Sequence, residues 1–265
     1  MTDALTLAKA QEALQELGLN RCVDLLAPSA EWASENDATY IGFLVRLLES
    51  EIDERRTRRL QAKLRAAHFP YHKTLADFDF SFQPSIDERQ IRELAHLSFV
   101  ADGHNVVMLG PPGVGKTHLS VALGLEAIAQ GLSVSFVTMQ GLVSDLRRAH
   151  AENRLESRIK MYVKPKLLIC DEVGYLPLDA LDAANFFRLV SERYERGAMI
   201  ITSNTGFANW GSVFGDPVLA SALLDRILHH ATTINIRGNS FRMKDKLRSG
   251  LAQSHVGVVA EQATE

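Results

Sequence analysis

The sequence predicts an α/β fold in which helices cover both faces of a five-stranded parallel sheet, preceded by a small all-helical domain. From residue 105 onward, short apolar runs alternate with amphipathic helical stretches, a pattern typical of parallel sheets between two helical layers. Before residue 69, apolar side chains instead recur at helical intervals. The expected strands are 106–109, 134–137, 167–170, 199–202 and 233–236, separated by helices at 116–130, 139–161, 180–196 and 217–230.

Composition limits the class of protein. The 265 residues are 46% hydrophobic and 23% charged, with a formal net charge of −3, which excludes a disordered or collagen-like chain. No apolar stretch reaches the ~18 residues of a membrane span, and the first residues lack the pattern of a secretory signal. The two cysteines, Cys22 and Cys170, lack metal-type spacing. We therefore expect a cytoplasmic protein with no membrane partner, and the net charge by itself argues against nucleic acid.

The pattern divides the chain into four segments. Residues 1–68 are expected to form the helical domain, and 69–85 an aromatic connector whose phenylalanines dock on the next domain. Ser85 and Glu88 have the spacing of a capping box, which predicts that a helix starts there. Residues 86–248 carry the α/β pattern, and the small, polar residues 249–265 predict a flexible tail.

A phosphate-binding loop follows the first expected strand and precedes a helix. Its residues fit the pattern GxxxxGK[ST], in which backbone amides and the lysine bind phosphates and the threonine hydroxyl binds Mg²⁺. The amino terminus of the helix adds a favourable dipole. The strand and helix on either side disfavour a chance glycine turn. The residues expected to bind the nucleotide are Gly110, Pro111, Pro112, Gly113, Val114, Gly115, Lys116, Thr117 and the following His118.

Two carboxylates follow the third expected strand. Asp171 and Glu172 come directly after an apolar run, ~55 residues after Lys116. Parallel strands deliver such side chains to the carboxyl edge of the sheet, where ligands bind. We expect Asp171 and Thr117 to hold Mg²⁺, and Glu172 to orient and deprotonate a water for hydrolysis. The alternative is a strand that ends in a solvated loop, and the spacing from the phosphate loop favours the site.

A polar residue ends the fourth expected strand. Asn204 follows the apolar residues 199–201, so it should lie at the same sheet edge as the two carboxylates. Its amide could bind the γ-phosphate or the attacking water. A simple turn cap at the end of the strand is the alternative.

These motifs, in this order, resemble those of AAA+ ATPases, and more narrowly those of the IstB family of ATPase helpers in insertion-sequence transposition, which is related to the DnaC helicase loader. The resemblance implies an AAA+ P-loop fold, ATP and Mg²⁺ as cofactors, and a homo-oligomer with ATP between subunits. It rests on FPYHKTLADFDFSFQPSIDERQ (69–90), LGPPGVGKTHL (109–119), DEVGYLPL (171–178), RYERGAMIITSN (193–204) and VFGDPVLASALLDRILHH (213–230).

The same resemblance implies roles for two arginines. Arg226 matches the arginine finger, which enters the ATP site of a neighbouring subunit, although its spacing also fits an ordinary surface residue. Arg242 matches a second sensor arginine that binds ATP, although Asn239 and Phe241 replace the acid and tyrosine usual there. Too few residues follow the fifth strand for the full C-terminal helical lid of many AAA+ proteins. The expected catalytic residues are Lys116, Glu172, Asn204 and, in trans, Arg226.

Positive charge is concentrated near the end of the helical domain. Residues 55–76 contain seven basic residues and no acidic one, whereas the rest of the chain has 22 basic and 32 acidic residues. Basic helical faces commonly contact DNA phosphates, although a solvated face has the same composition. We call residues 55–65 the basic run, and the resemblance favours DNA for it and for the helix near residue 147, without strong sequence preference. The expected contacts are Arg55, Arg56, Arg58, Arg59, Lys63, Arg65, Arg147 and Arg148.

Two functions follow from the resemblance. The first is an ATPase that oligomerises on double-stranded DNA, remodels it and recruits or stimulates a cognate transposase, with hydrolysis driving disassembly. The second is a DnaC-like loader that acts on a replicative helicase and single-stranded DNA. A metabolic phosphotransferase is disfavoured because the chain has no arginine-rich lid.

Overall fold

The computed structural model describes residues 2–243, apart from the side chains of Thr2, Asp3 and Arg242. The predicted tail at 249–265 and the expected lack of a full lid therefore fall outside the described residues. The chain separates into two compact units, Met1–Ala62 and Lys63–Glu265. Within residues 2–243, every helix is too short or too polar to cross a membrane.

Helices alone form the first unit. A small apolar core holds them together, and its buried members are Cys22, Leu26 and Leu47. The helices are α1 (Thr2–Glu16), α2 (Asn20–Glu35) and the first part of α3 (Tyr40–Ala67).

A buried carboxylate of α3 caps the start of α2. Glu51 is only 4% exposed. It accepts hydrogen bonds from the backbone amides of Arg21 (2.8 Å) and Cys22 (3.3 Å) and from Nε of Arg55 (2.8 Å). Burial would raise the pKa of Glu51, but the hydrogen bonds from Arg55 and the two amides lower it below its ordinary value. The ionised carboxylate thus satisfies amides that have no partner within their own helix.

The division between the units falls inside α3, six residues before the expected boundary at 68. The last turn of α3 belongs to the second unit because its side chains pack there. Ala67 is fully buried in the core of that unit, and Leu64 packs against the same core. Nζ of Lys63 donates a hydrogen bond to the carbonyl of Gly131.

A five-stranded parallel sheet lies at the centre of the second unit. The strands are β1 (Asn105–Leu109), β2 (Val134–Thr138), β3 (Leu167–Val173), β4 (Ala198–Ser203) and β5 (Ala231–Asn235). Their order in the sheet is β2-β3-β4-β1-β5. The helices are α4 (Glu88–Leu94), α5 (Ser98–Ala101), α6 (Lys116–Ala129), α7 (Met139–Ala151), α8 (Leu155–Val163), α9 (Ala180–Arg193), α10 (Trp210–Phe214) and α11 (Pro217–Leu228).

Alternation along each strand builds a core on both faces of the sheet. In β1, Val106 and Met108 join the core with α4, α5 and α6, whereas Val107 and Leu109 join the core with α7 to α11. Successive side chains of a strand point to opposite faces, so every central strand contributes to both cores. The predicted three-layer α/β fold is confirmed.

The prediction of a single helix at 139–161 is wrong, because the structure has two helices there, α7 and α8. Asn153 adopts a left-handed conformation with φ of 55°. The amide of Arg154 turns back to the carbonyl of Ala149 at 2.7 Å, an ending in which asparagine is well tolerated. The chain therefore stops after α7 and starts again in α8.

The capping box expected at Ser85 is also absent. Asp87 caps α4 instead, and its carboxylate accepts from the amide of Arg89 at 2.8 Å. Oγ of Ser85 accepts a hydrogen bond from the amide of Arg237 at 2.9 Å. A contact distant in sequence therefore takes the side chain that the local pattern assigned to the helix.

Candidate nucleotide-binding site

The phosphate loop lies between β1 and α6 at the carboxyl edge of the sheet. The amide of Gly110 donates to the carbonyl of Ser203 on β4 at 3.1 Å, which ties the start of the loop to the neighbouring strand. Nζ of Lys116 donates to the carbonyls of Gly110 (2.5 Å) and Pro111 (2.8 Å). The loop thus holds the ammonium group directly beside the backbone that would surround a phosphate.

Two glycines allow the loop its shape. Gly113 and Gly115 have φ values of 82° and 104°, in the left-handed region that other residues resist. A Cβ on Gly115 would lie 2.5 Å from the ring of Phe78, and one on Gly113 would collide with Ser240. Backbone conformation and close neighbours therefore both require glycine at these positions.

A β-bulge interrupts the pairing of β3 with β4 at the two predicted carboxylates, Asp171 and Glu172. Cys170 pairs with Ile201 and Val173 pairs with Ser203, so Asp171 and Glu172 together lie opposite one residue of β4. Glu172 has φ of 62°, a left-handed conformation that costs about 1–3 kcal/mol in a residue other than glycine. Bulges commonly redirect side chains beside active sites. Here both carboxylates reach the same end of the sheet.

Hydroxyl groups surround the carboxylate of Asp171. This residue is 3% exposed, and Oγ1 of Thr117 lies 3.0 Å from each of its carboxylate oxygens. Oγ1 of Thr202 donates to Oδ1 of Asp171 at 2.5 Å and accepts from the amide of Glu172 at 3.0 Å. Hydroxyl and carboxylate oxygens are hard ligands, so Thr117 and Asp171 fit the requirements of Mg²⁺.

An open cleft brings the predicted residues together. Lys116, Thr117, Glu172 and Asn204 all line it. Glu172 and Asn204 are exposed, and Oδ1 of Asn204 accepts from Oγ1 of Thr205 at 3.2 Å. The structure thus places a phosphate loop, a carboxylate and an amide around one space.

The connector forms a wall of this cleft that the sequence reasoning missed. Tyr71, Lys73 and Phe78 line the cleft together with Phe241. His118 also faces the connector, because its Nε2 lies 2.9 Å from the carbonyl oxygen of Thr74 and its ring packs edge-on against Phe78. The aromatic composition of 69–85 was the available signal. Thr202 was missed as well, because a threonine at the end of an apolar run carries no distinctive motif.

Arg226 lies at the opposite, amino edge of the sheet. It belongs to the last turn of α11, just before β5 begins. Its guanidinium stacks over the ring of Phe187 at 4.3 Å. Its Nη1 is buried, and residues 2–243 offer it no hydrogen-bond partner. The other predicted arginine, Arg242, has its side chain outside the described part of the chain.

The arginines of the basic run are exposed along α3, whereas Lys63 is partly buried and donates to the carbonyl of Gly131. The arginines differ in their contacts. Arg55 pairs with Glu51, and Arg58 pairs with Glu54 at 2.7 Å. Arg56 and Arg59 are exposed, and neither forms an ion pair with another described residue. Arg65 is exposed as well.

The two predicted DNA contacts on α7, Arg147 and Arg148, differ in their surroundings. Arg147 donates from Nε to the carboxylate of Asp182 at 2.8 Å and from Nη2 to Asp179 at 2.6 Å. Asp182 is nearly buried, so this arginine ties α7 to the start of α9. Hydrogen bonds to Asp182, together with the charges of both aspartates, raise the pKa of Arg147. Arg148, by contrast, is exposed.

Sequence comparison finds close relatives. Residues 12–249 match the family described as IstB-like ATP binding protein. The ATP-binding protein of insertion sequence IS5376 from Geobacillus stearothermophilus is 48% identical over 217 residues, which cover 82% of this chain and 86% of the relative. The ATP-binding protein of insertion sequence IS21 from Pseudomonas aeruginosa is 46% identical over 231 residues, which cover 87% of each chain.

Solved structures share the fold at lower identity. The replication initiator DnaA, bound to AMPPCP and single-stranded DNA, matches with a TM-score of 0.54 and 20% identity over 69% of this chain and 56% of its own. The DnaC helicase loader matches with a TM-score of 0.51 and 21% identity over 66% of this chain and 98% of its own. These likenesses show an AAA+ type of P-loop fold.

Proposed function

The chain belongs to the family of IstB-like ATP-binding proteins of insertion sequences, and from this we propose that it is a Mg²⁺-dependent ATPase that assembles on duplex DNA and assists a transposase. Bound ATP favours assembly, and hydrolysis reverses it. The ATPase proposal rests on the bulge in β3, which leaves Glu172 lining the cleft beside the phosphate loop and Asp171 in contact with the cleft residue Thr117.

Five side chains at or beside the cleft are assigned roles in ATP hydrolysis. Lys116 binds the β- and γ-phosphates, and Thr117 and Asp171 hold Mg²⁺, which neutralises phosphate charge when bound. Glu172 is exposed to the cleft, so its carboxylate can orient a water and accept its proton. Asn204 donates a hydrogen bond to that water or to the γ-phosphate.

Arg226 serves the ATP site of a neighbouring subunit in this proposal. The five residues of β1 separate the phosphate loop from the amino edge of the sheet, a distance of roughly 15 Å. Arg226 therefore cannot reach ATP in its own chain. Arg226 is partly exposed, so its guanidinium can meet a phosphate of another subunit once the Nη1 that is now buried turns outward and gains an acceptor.

Contact with DNA is assigned to the exposed basic side chains. Arg56 and Arg59 are available for phosphate contacts, whereas Arg147 would first have to leave Asp179 and Asp182. We therefore favour the basic run and Arg148 over Arg147. Such contacts recognise the backbone and provide little sequence preference. The transposase is the protein partner, because the close relatives are named for insertion sequences.

Steady-state ATP hydrolysis tests the cleft. Lys116→Ala should lose nucleotide binding. Glu172→Gln should bind ATP with Mg²⁺ but hydrolyse it at least ~10²-fold more slowly, because the general base is lost. Glu93→Gln, which changes an exposed glutamate of α4, is the matched control and should retain wild-type activity. Wild-type hydrolysis by Glu172→Gln would contradict the assignment.

Mixed subunits test the role of Arg226. Arg226→Ala and Lys116→Ala should each be inactive alone. When they are mixed, some sites combine an intact phosphate loop with an intact arginine, so hydrolysis should return in part. Arg188→Ala, an exposed arginine of α9, is the control for general loss of charge. If the mixture stays inactive although the subunits associate, the arginine does not act across the interface.

DNA preference separates this proposal from the helicase-loader alternative. In fluorescence anisotropy with ATP, the proposed function requires binding to duplexes of unrelated sequence. Binding that is confined to single strands or depends on a helicase would support the loader.

A further inference from the structure

A cluster of possible metal ligands lies at the amino edge of the sheet, away from the phosphate loop. Glu195 comes from the turn between α9 and β4. His229 and His230 come from the junction of α11 and β5. One ligand atom from each of the three side chains lies within 4.8 Å of the others, and all three residues are exposed. Two chain segments distant in sequence thus bring three metal-binding groups together.

Neighbouring groups orient the two imidazoles. The hydroxyl of Tyr194 lies 2.8 Å from Nδ1 of His229, which leaves Nε2 of that ring for a ligand. His104 stacks on His230 with centroids 4.9 Å apart and planes at 15°. The carbonyl of His230 accepts from the amide of Asn105 at 2.7 Å, so its backbone is tied to β1. Hydrogen bonds to the second ring nitrogen commonly orient histidines at metal sites.

The turn that carries the carboxylate is equally well defined. Glu195 has a left-handed φ of 58°. The amides of Arg196 and Gly197 both return to the carbonyl of Arg193, at 2.9 and 3.0 Å. This tight turn presents Glu195 beside the two histidines.

We propose that Glu195, His229 and His230 bind one divalent transition-metal ion of the zinc type, with a fourth position open to water. Two imidazoles and one carboxylate form a known three-ligand set for zinc, and imidazole selects such ions over Mg²⁺. Tetrahedral bonds of ~2.0–2.2 Å bring ligand atoms to about 3.4 Å from one another. The exposed side chains need to close by up to about 1.4 Å to reach that spacing.

This site differs in chemistry and position from the phosphate site. The cleft offers hydroxyl and carboxylate oxygens at the carboxyl edge of the sheet, which suit Mg²⁺. The cluster offers two nitrogens and one carboxylate at the amino edge. A bound ion would join the α9–β4 turn to the end of α11. It would therefore raise the unfolding temperature, because the unfolded chain does not hold the three ligands together.

Cobalt and zinc titrations of the full chain, prepared without a polyhistidine tag, test the proposal. Co²⁺ should give a saturable visible absorption band at one equivalent, and Zn²⁺ should displace it. His229→Ala, His230→Ala and Glu195→Gln should each weaken Zn²⁺ binding at least about tenfold, measured against a chromophoric chelator. His150→Ala, an exposed histidine of α7, should bind like the wild type.

Thermal unfolding gives an independent measurement that also detects misfolded variants. Zn²⁺ should raise the unfolding temperature of the wild type and of His150→Ala, but not of the three ligand variants. The proposal is overturned if the wild type shows no saturable band. It is also overturned if folded ligand variants bind Zn²⁺ as tightly as His150→Ala.

Discussion

Replacing Thr202 by valine removes one buried hydroxyl that contacts the carboxylate of Asp171 and the backbone amide of Glu172. Thr202 is fully buried on β4. Its Oγ1 donates to Asp171 at 2.5 Å and accepts from the amide of Glu172 at 3.0 Å. Valine keeps the shape of the side chain but cannot make either hydrogen bond. Asp171 then loses a donor, and the amide of Glu172 loses its acceptor inside the bulge.

The two hydrogen bonds set the size of the effect. A hydrogen bond to a charged group contributes about 1.5–3 kcal/mol, and an unsatisfied buried amide costs ~1–3 kcal/mol. We expect Thr202→Val to lower the free energy of unfolding by about 2.5–6 kcal/mol. Release of the strained backbone at Glu172 misplaces the general base, for which we expect a 10- to 100-fold fall in kcat, or about 1.4–2.7 kcal/mol. KM for ATP should change less than kcat, because the phosphate loop is untouched and the proposed Mg²⁺ site loses only one hydrogen bond to Asp171.

Urea unfolding and steady-state hydrolysis measure these effects separately. Thr202→Ser is the matched variant, because it keeps the hydroxyl and loses only a methyl group. Its kcat should stay near that of the wild type. Wild-type kcat in folded Thr202→Val would refute the reasoning, and so would an equal loss of kcat in the serine and valine variants.

Three further changes test other parts of the molecule. Glu51→Gln should lower the unfolding temperature of the first unit at pH 7, because the carboxylate that caps α2 becomes neutral. The lowered pKa of Glu51 stabilises the fold above its ordinary value of about 4.5. This stability is lost as the pH falls through the lowered pKa, so the difference between the two proteins should shrink in acid. Arg193 is 1% exposed, its guanidinium donates to five backbone carbonyls, and burial lowers its pKa to about 10. Lysine cannot make all of these hydrogen bonds. Arg193→Lys should therefore lower the free energy of unfolding by ~2–4 kcal/mol, measured by urea titration. Reversing the charge of Arg55, Arg56, Arg58 and Arg59 should weaken duplex binding. The slope of log affinity against log salt concentration should become shallower by about one for each DNA phosphate that the variant no longer binds. The control Arg89→Glu, on α4, should leave both the affinity and the slope unchanged.

The phosphate loop and the two carboxylates could be predicted because each lies in a short contiguous motif. Lys116 and Thr117 follow an apolar run, and Asp171 and Glu172 end another. In a parallel sheet, the carboxyl ends of strands share one edge, so these residues had to converge. The three layers of the α/β fold could be predicted as well, because apolar runs alternate with amphipathic helical stretches and this pattern is readable from the local sequence.

Contacts between distant segments could not be predicted in this way. The bulge depends on how β3 pairs with β4, and Thr202 matters only because that pairing places it between two carboxylates. Arg147 was predicted as a DNA contact from its charge and from the family resemblance, but neither shows that Asp182, 35 residues further along the chain, pairs with it. The connector likewise joins the cleft through tertiary packing.

Electron microscopy of Glu172→Gln with Mg²⁺, ATP and duplex DNA of unrelated sequence tests the central claim most directly. This variant retains ATP, so it should accumulate closed or filamentous assemblies on the duplex. Omitting ATP, or adding the Lys116→Ala change, should leave no assemblies. Single subunits in every condition, or assembly on single-stranded DNA alone, would contradict the account.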